Sequence, residues 1–178
     1  MARSQLTGVL LVGGGSTRFG SPKALARIGG ETLAERGWSV LAEACDERLA
    51  VGKRSDGLDL PFDLVDDGTD TRAALTGIVA GLRAAAAEVT VVLPVDTPLV
   101  TPALLLELAA ACTDAAAPRA SPLPAAFHKR ALPVLERRLD EGRLALHDAL
   151  AELRAVRLEV DAALLANVNT PDDLRRLG

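Results

Sequence analysis

Aromatic side chains are scarce in this sequence, which has no Tyr, one Trp and three Phe among its 178 residues. Proteins that bind single-stranded nucleic acid without sequence preference stack the bases on exposed rings, so this composition argues against that function. The formal net charge of -4 also argues against a broad basic surface for phosphate backbones. We therefore expect no nucleic acid partner, although a few local cations suffice to bind one small anionic ligand.

Cysteine, histidine and long apolar runs are sparse as well. Cys45 and Cys112 are far apart, and neither His128 nor His147 stands in a cluster with metal-ligand spacing, so we expect no disulfide framework and no zinc site. No apolar run reaches about 18 residues, and no signal-peptide pattern precedes the first apolar segment. We expect a cytoplasmic protein with no membrane partner and with one domain over residues 1–178.

Ala, Leu and Val are abundant, and they fall into alternating strand-like and helix-like segments. Short apolar runs predict strands at residues 6–12, 48–51, 62–65, 89–95 and 156–160. Helical periodicity predicts helices at residues 31–44, 75–87, 104–112, 129–141 and 144–153. This alternation predicts a single-domain α/β fold, a Rossmann-like three-layer α/β/α arrangement with a mostly parallel sheet.

Two helix starts are clearly marked, whereas residues 114–126 follow no pattern. Thr101 followed by Pro102 is typical of a capped first turn, and Thr170 with Asp173 forms a capping-box sequence. Residues 114–126 contain three prolines among small residues, which predicts a loop with one short edge strand at most.

The most informative segment is a glycine-rich loop directly after the first predicted strand. Glycine leaves backbone N–H groups unshielded and bends where a Cβ atom would clash, so such a loop can wrap phosphate oxygens. Arg18 and Lys23 supply the opposite charge. The small and basic residues of the loop are Gly13, Gly14, Gly15, Ser16, Thr17, Arg18, Gly20 and Lys23. This composition predicts that a nucleotide is the substrate.

Two better-known glycine motifs do not fit this loop. Gly15 and Gly20 have the spacing of a Walker A loop, but Ser21 follows where that motif needs Lys. The dinucleotide fingerprint fails too, because Arg18 stands where its third glycine belongs.

Carboxylates follow two other predicted strands. Asp66 and Asp67 come after residues 62–65, and Asp96 comes after residues 89–95. In an open α/β sheet, ligands bind beyond the carboxyl ends of the strands, so these carboxylates and the glycine loop are expected at one edge. Mg²⁺ takes one or two carboxylates together with phosphate oxygens, which makes Asp96 the best metal candidate.

Three segments together resemble a known family, the MobA-like nucleotidyltransferases. The glycine loop continues into Pro22-Lys23-Ala24-Leu25 and matches the family signature, with Phe19 where Met is usual. The segment Val95-Asp96-Thr97-Pro98 resembles the family's metal-binding segment, with Val95 in place of Cys, and residues 167–174 resemble its C-terminal segment. The resemblance extends through nearly the whole chain.

The resemblance implies a fold of the nucleotide-diphospho-sugar transferase type and a transferase activity. The substrates it implies are GTP and a molybdopterin cofactor, and GMP is transferred with release of pyrophosphate. The implied cofactor is Mg²⁺, held by Asp96 and Asn169. The catalytic residues it implies are Arg18, Lys23 and Asp96, and the nucleotide-binding residues are Leu11, Gly13, Gly14, Gly15, Ser16, Lys23, Asp66 and Asp96. Transient contacts with proteins that deliver the cofactor or mature molybdoenzymes are also implied.

The sequence departs from the family pattern at several positions, and these departures leave alternative functions open. Asp66 corresponds, by its distance from Gly77, to a family aspartate that helps recognise guanine. The family's Gly-Pro-Leu-x-Gly appears here as residues 73–77 without the first Gly and Pro, and residues 52–54 lack the usual Asn. Residues 122–127 only partly resemble a segment near the acceptor site. Gly13 and Gly14 favour guanylyl transfer over the alternatives, which are cytidylyl or sugar-phosphate nucleotidyl transfer and a non-catalytic nucleotide-binding module.

Overall fold

A computed structural model of the chain describes residues 5–13 and 22–177. The strands in this part of the chain are β1 (Leu6–Leu11), β2 (Arg27–Ile28), β3 (Glu31–Thr32), β4 (Glu47–Gly52), β5 (Leu64–Asp66), β6 (Val89–Pro94), β7 (Ala115–Pro118), β8 (Ala125–His128) and β9 (Val156–Leu158). The α-helices are α1 (Leu33–Ala44), α2 (Ala74–Ala84), α3 (Pro102–Ala111), α4 (Leu132–Asp140), α5 (Leu146–Glu152) and α6 (Pro171–Leu177).

Seven of the strands form one sheet in the order β5-β4-β1-β6-β8-β7-β9. β1, an interior strand, pairs in parallel with β4 and β6, and only β8 runs antiparallel to its neighbours. β2 and β3 form a separate two-stranded ribbon. The predicted α/β fold with a mostly parallel sheet is confirmed. Within residues 5–13 and 22–177, no helix is long and apolar enough to cross a membrane.

Helices cover both faces of the sheet, which gives three layers. Leu6 and Leu10 of β1 belong to the apolar core under α1 and α3, whereas Val9 and Leu11 belong to the core under α2, α4 and α5. Successive side chains of a strand point to opposite faces, so one strand contributes to both cores. β1 is therefore buried on both sides, and its carboxyl end lies in the middle of the sheet edge where the predicted site residues follow.

Glycines let α2 lie unusually close to β1. A Cβ atom added at Gly77 would come within 2.8 Å of Leu11 Cδ2, and one added at Gly81 would come within 2.8 Å of Val9 Cγ2. The two glycines are four residues apart and therefore share one helix face. That face fixes how α2 docks on β1, and with it the position of the first turn of α2 beside the candidate site.

We expect Gly81→Ala to lower the free energy of unfolding by about 1–3 kcal/mol in spite of the better helix propensity of Ala. Val9 is fully buried and β-branched, so it cannot rotate away from the new methyl group. The measurement is urea denaturation. The double variant Val9→Ala/Gly81→Ala restores room for the methyl group. If Gly81→Ala lowers the free energy of unfolding equally in the wild-type and Val9→Ala proteins, the contact with Val9 does not determine the effect.

The prediction for residues 114–126 was wrong. They contain β7 and the start of β8, two strands inside the main sheet, and β9 rather than β7 forms the edge. Ala115, Ala116 and Ala117 show no apolar alternation and have low strand propensity. All three are nevertheless fully buried, because small side chains fit between helices on both faces of the sheet. Pro118 is the last residue of β7, and at this position its lack of a backbone N–H does not interrupt the pairing of the strand.

Both predicted helix starts are confirmed, and a third capped helix start was not predicted. Thr101 Oγ1 accepts a hydrogen bond from Leu104 N at the start of α3. α1 begins after Thr32, whose side chain accepts from Glu35 N while the Glu35 carboxylate accepts from Thr32 N. This capping box shifts the start of α1 from residue 31 to residue 33, because residues 31 and 32 pair with β2 instead.

Candidate active site

A cavity of about 460 Å³ opens at the carboxyl ends of the parallel strands. Its centre is formed by residues that follow β1 and β6, and its flanks are formed by residues that follow β4 and β5 and by the turn before β8. The described residues that carry polar or charged side chains toward this cavity are Lys23, Lys53, Asp67, Arg72, Thr76, Asp96, Ser121 and Asn167. The topology therefore brings the ends of four parallel strands to one site, as expected for an open α/β sheet.

Lys23, Asp96 and Asn169 meet at this site. Lys23 Nζ lies 3.3 Å from Asp96 Oδ2 and 3.1 Å from Asn169 Oδ1. The side chains of Lys23 and Asp96 are 19% and 28% exposed, so the pair is reachable from the cavity and yet partly shielded from water. Sequence analysis placed all three residues in the site, and the structure brings them into direct contact.

The segment that carries Asn169 is held firmly against β6. Val168 N donates to Asp96 O at 2.8 Å, and the Val168 side chain is fully buried. Asp173 in the first turn of α6 accepts from Asn169 N and Thr170 N, each at 2.9 Å. These bonds, that to Asn169 above all, hold the pKa of Asp173 below its ordinary value. The predicted capping box thus also orients Asn169.

The donor set at this point fits a hard divalent cation. Asp96 Oδ2 and Asn169 Oδ1 both contact a single ammonium group, so the two oxygens converge on one cationic centre. Within the described part of the chain, no three His, Cys, Asp or Glu residues are grouped as a metal site. One carboxylate and one amide oxygen suit Mg²⁺ that completes its shell with water and substrate phosphates.

A second charged cluster, here called the Lys53 cluster, lies at the ends of β4 and β5. It consists of Lys53, Asp67, Thr69 and Thr76. Lys53 Nζ donates to Asp67 Oδ1 at 2.9 Å and Oδ2 at 3.0 Å, and also to Thr69 O. The side chains of Lys53 and Asp67 are only 8% and 5% exposed. Asp67 also accepts from Thr69 N at 3.2 Å and lies 3.1 Å from Thr76 Oγ1.

Asp66 and Asp67 are adjacent but have different surroundings. Asp66 is exposed, and its carboxylate accepts from Arg54 N at 2.6 Å and from Gly68 N at 2.7 Å. These two backbone bonds, Arg54 first, hold the pKa of Asp66 below its ordinary value. Among the described residues that line the cavity, Asp67 is present and Asp66 is not. The role of Asp66 in guanine recognition stays a prediction.

The remaining predicted residues divide into two groups. Leu11 and Gly13 line the cavity. Gly14, Gly15, Ser16 and Arg18 lie outside the described residues, so their predicted roles stay predictions. Sequence analysis did not assign a function to the Lys53 cluster. The only sequence signal was the position of Lys53 directly after a strand that ends at the same edge.

A comparison with protein families matches residues 8–157 to the model of the MobA-like NTP transferase domain. The chain is 35% identical to a probable molybdenum cofactor guanylyltransferase of Chloroflexus aggregans, a match that covers 96% of this chain and 92% of that protein. It is 30% identical to the molybdenum cofactor guanylyltransferase of Desulfosudis oleivorans, with 96% and 93% covered.

Among solved structures, the chain is similar to molybdopterin-guanine dinucleotide biosynthesis protein A from Archaeoglobus fulgidus. The two share 26% sequence identity and a TM-score of 0.82, and the match covers 96% of each chain. The candidate site therefore lies in a fold that this protein from Archaeoglobus fulgidus shares.

Proposed function

Because this chain belongs to the MobA-like NTP transferase family, we propose that it transfers GMP from GTP to a molybdopterin cofactor and releases pyrophosphate. The observation that carries the proposal is the meeting of Lys23, Asp96 and Asn169 at the carboxyl ends of β1 and β6. The names of the relatives support guanine as the base and molybdopterin as the acceptor. The cytoplasmic location and the protein partners inferred from the sequence stay predictions.

In this proposal a phosphate of the acceptor attacks the α-phosphorus of GTP in line with the leaving pyrophosphate. No side chain forms a covalent intermediate, so the protein contributes position and charge. Lys23 donates to phosphate oxygens, and Asp96 and Asn169 hold the metal ion. When bound, Mg²⁺ supplies positive charge against the phosphate oxygens on which negative charge increases.

The two flanks of the cavity suit the two substrates. On the β4 and β5 side, Gly13 and Gly52 line the cavity, and no side chain of theirs fills the space in which a flat base would lie. On the β8 side, Ser121, Pro122 and Leu123 line the cavity. We therefore assign the nucleoside to the first flank and the acceptor to the second, with the triphosphate between them beside Lys23.

We expect GTP with Mg²⁺ to stabilise the protein more than CTP, ATP or UTP does. A ligand present at about 100 times its Kd adds about 2.7 kcal/mol, which is a rise of about 5–11 °C in melting temperature for a chain of this size. The measurement is a melting curve with each triphosphate in turn. Equal shifts for all four, or a larger shift with CTP, would contradict guanylyl transfer while leaving a nucleotidyltransferase possible.

Two lysine variants show whether the stabilisation arises at the proposed site. Lys23→Ala removes the cation that contacts Asp96 and Asn169, so the GTP-dependent shift should become small. Lys129→Ala is the matched control, because Lys129 is exposed and follows the end of β8 that pairs with the start of β6, at the opposite edge of the sheet. Equal losses in both variants would place nucleotide binding elsewhere.

A further inference from the structure

We propose that the buried Lys53–Asp67 ion pair is a positioning pair for the nucleoside half of the substrate. The inference rests on the proposed function and goes beyond it, because neither residue touches the Lys23, Asp96 and Asn169 group. Lys53 follows β4 and Asp67 follows β5, so the pair lies on the flank of the cavity to which we assign the nucleoside. Its role is to fix backbone rather than to contact phosphate.

The hydrogen bonds of the pair are directed inward. An ammonium group has three protons, and Lys53 Nζ has three acceptors, namely the two oxygens of Asp67 and the carbonyl of Thr69. The Asp67 carboxylate accepts in addition from Thr69 N and approaches Thr76 Oγ1. The ligand-free pair is thus satisfied by the protein itself, and it acts on a ligand through the segments that it ties together.

The segments that the pair ties together line the nucleoside side of the cavity. The pair ties the end of β4 at Gly52 to residues 67–69 and to the first turn of α2, which starts after Ala73 without a side-chain cap. A Cβ atom added at Gly52 would come within 3.0 Å of Val12 Cγ2, so this backbone is packed directly against the end of β1. A shift of the β4 end would therefore change the surface on which a base lies.

Fold stability alone does not explain this pair. Burying two opposite charges costs desolvation energy, and apolar residues of similar volume often do equally well or better. The pair lies beside a cavity and not in the middle of either apolar core. The side chain of Ala73 cannot cap α2, so the ion pair holds in place a loop that no N-cap side chain constrains.

The test compares two ligands that differ only in the nucleoside. The variant is Lys53→Met/Asp67→Asn, which removes both charges together and leaves an amide to accept from Thr69 N and Thr76, so no uncompensated buried charge threatens folding. We expect its Kd for GTP with Mg²⁺ to rise about tenfold, since preorganisation is lost. Its Kd for inorganic tripolyphosphate with Mg²⁺ should change less than about twofold, since the phosphate half is intact.

Steady-state kinetics give an independent readout. Loss of nucleoside positioning raises the KM for GTP and leaves kcat nearly unchanged, whereas damage to the reacting end lowers kcat. The matched control is Arg83→Met/Glu136→Gln, which neutralises an exposed ion pair between α2 and α4 away from the cavity. In this control variant, neither the Kd for GTP nor the Kd for tripolyphosphate should change.

Two outcomes would overturn the positioning role. One is equal weakening of GTP and tripolyphosphate, and the other is an unchanged GTP Kd in a folded double variant. In both cases wild-type protein still binds GTP more tightly than tripolyphosphate, so the proposed function stands. If wild-type protein binds the two ligands equally, the nucleoside contributes nothing, and the proposed function and the positioning role fail together.

Discussion

Asp96→Asn is expected to lower kcat for pyrophosphate release by about 10²–10³-fold, which corresponds to about 2.7–4 kcal/mol of transition-state stabilisation. Asn matches Asp in size but lacks the negative charge that a hard cation requires. The Asp96 side chain is 28% exposed at the end of β6, so its replacement opens no cavity in the core. The backbone carbonyl that accepts from Val168 N is retained in the variant.

The measurement is initial rate at saturating Mg²⁺ and GTP, paired with a melting curve. Asp59→Asn serves as the matched control, because Asp59 is an exposed carboxylate and does not line the cavity among the described residues. Turnover of Asp96→Asn near that of the control would show that the metal is held by other groups. A large fall in melting temperature would instead assign Asp96 a structural role, contrary to our expectation.

Phe127→Ala is expected to lower the free energy of unfolding by about 3–5 kcal/mol. Phe127 lies in β8 with no exposed surface, pairs with Thr90 of β6 and Ala115 of β7, and packs in the core under α2, α4 and α5. Its ring fills volume that the alanines of β7 leave open. The small neighbours cannot expand to fill the cavity that the substitution creates, so the cost falls in the upper range for core truncations.

Chemical denaturation measures this loss directly. Leu106→Ala is the control, because Leu106 of α3 is 38% exposed and its truncation should cost less than about 0.5 kcal/mol. A loss below about 1 kcal/mol for Phe127→Ala would mean that β8 packs more loosely than described. Because Phe127 does not line the cavity among the described residues, kcat at a temperature where the variant is folded should stay near the wild-type value.

The sequence predicted the strands and helices whose signals are local. β1 and β6 are largely apolar runs, and the starts of α3 and α6 are marked by hydroxyl side chains that cap the first turn. β7 could not be predicted in this way, because a run of alanines carries no alternation and becomes a strand only when helices cover both of its faces. Tertiary packing therefore determined the structure of this segment, where the local sequence carried no signal.

In the candidate site, too, some features could be predicted from the local sequence and others depend on tertiary packing. Asp96 and Lys23 follow long strands with clear ends, so their meeting could be predicted from the chain alone. The sequence could not determine which of Asp66 and Asp67 faces the cavity, because successive side chains near a strand end point in opposite directions and a shift of one residue exchanges them. Lys53 had no assigned role for a related reason. A charged residue after a strand is normally solvated, and its burial depends on a partner 14 residues away.

The contacts of Lys23 join parts of the chain that are remote in sequence. Asp96 is 73 residues from Lys23, and Asn169 is 146 residues away. Forming these contacts closes long loops in the chain, which costs conformational entropy. If the proposed function holds, a metal-bound nucleotide that engages all three residues would act as a reversible cross-link between the start, the middle and the end of the chain. We therefore expect bound substrate to suppress the partial openings through which proteases and hydrogen exchange reach the segments around β1 and α6.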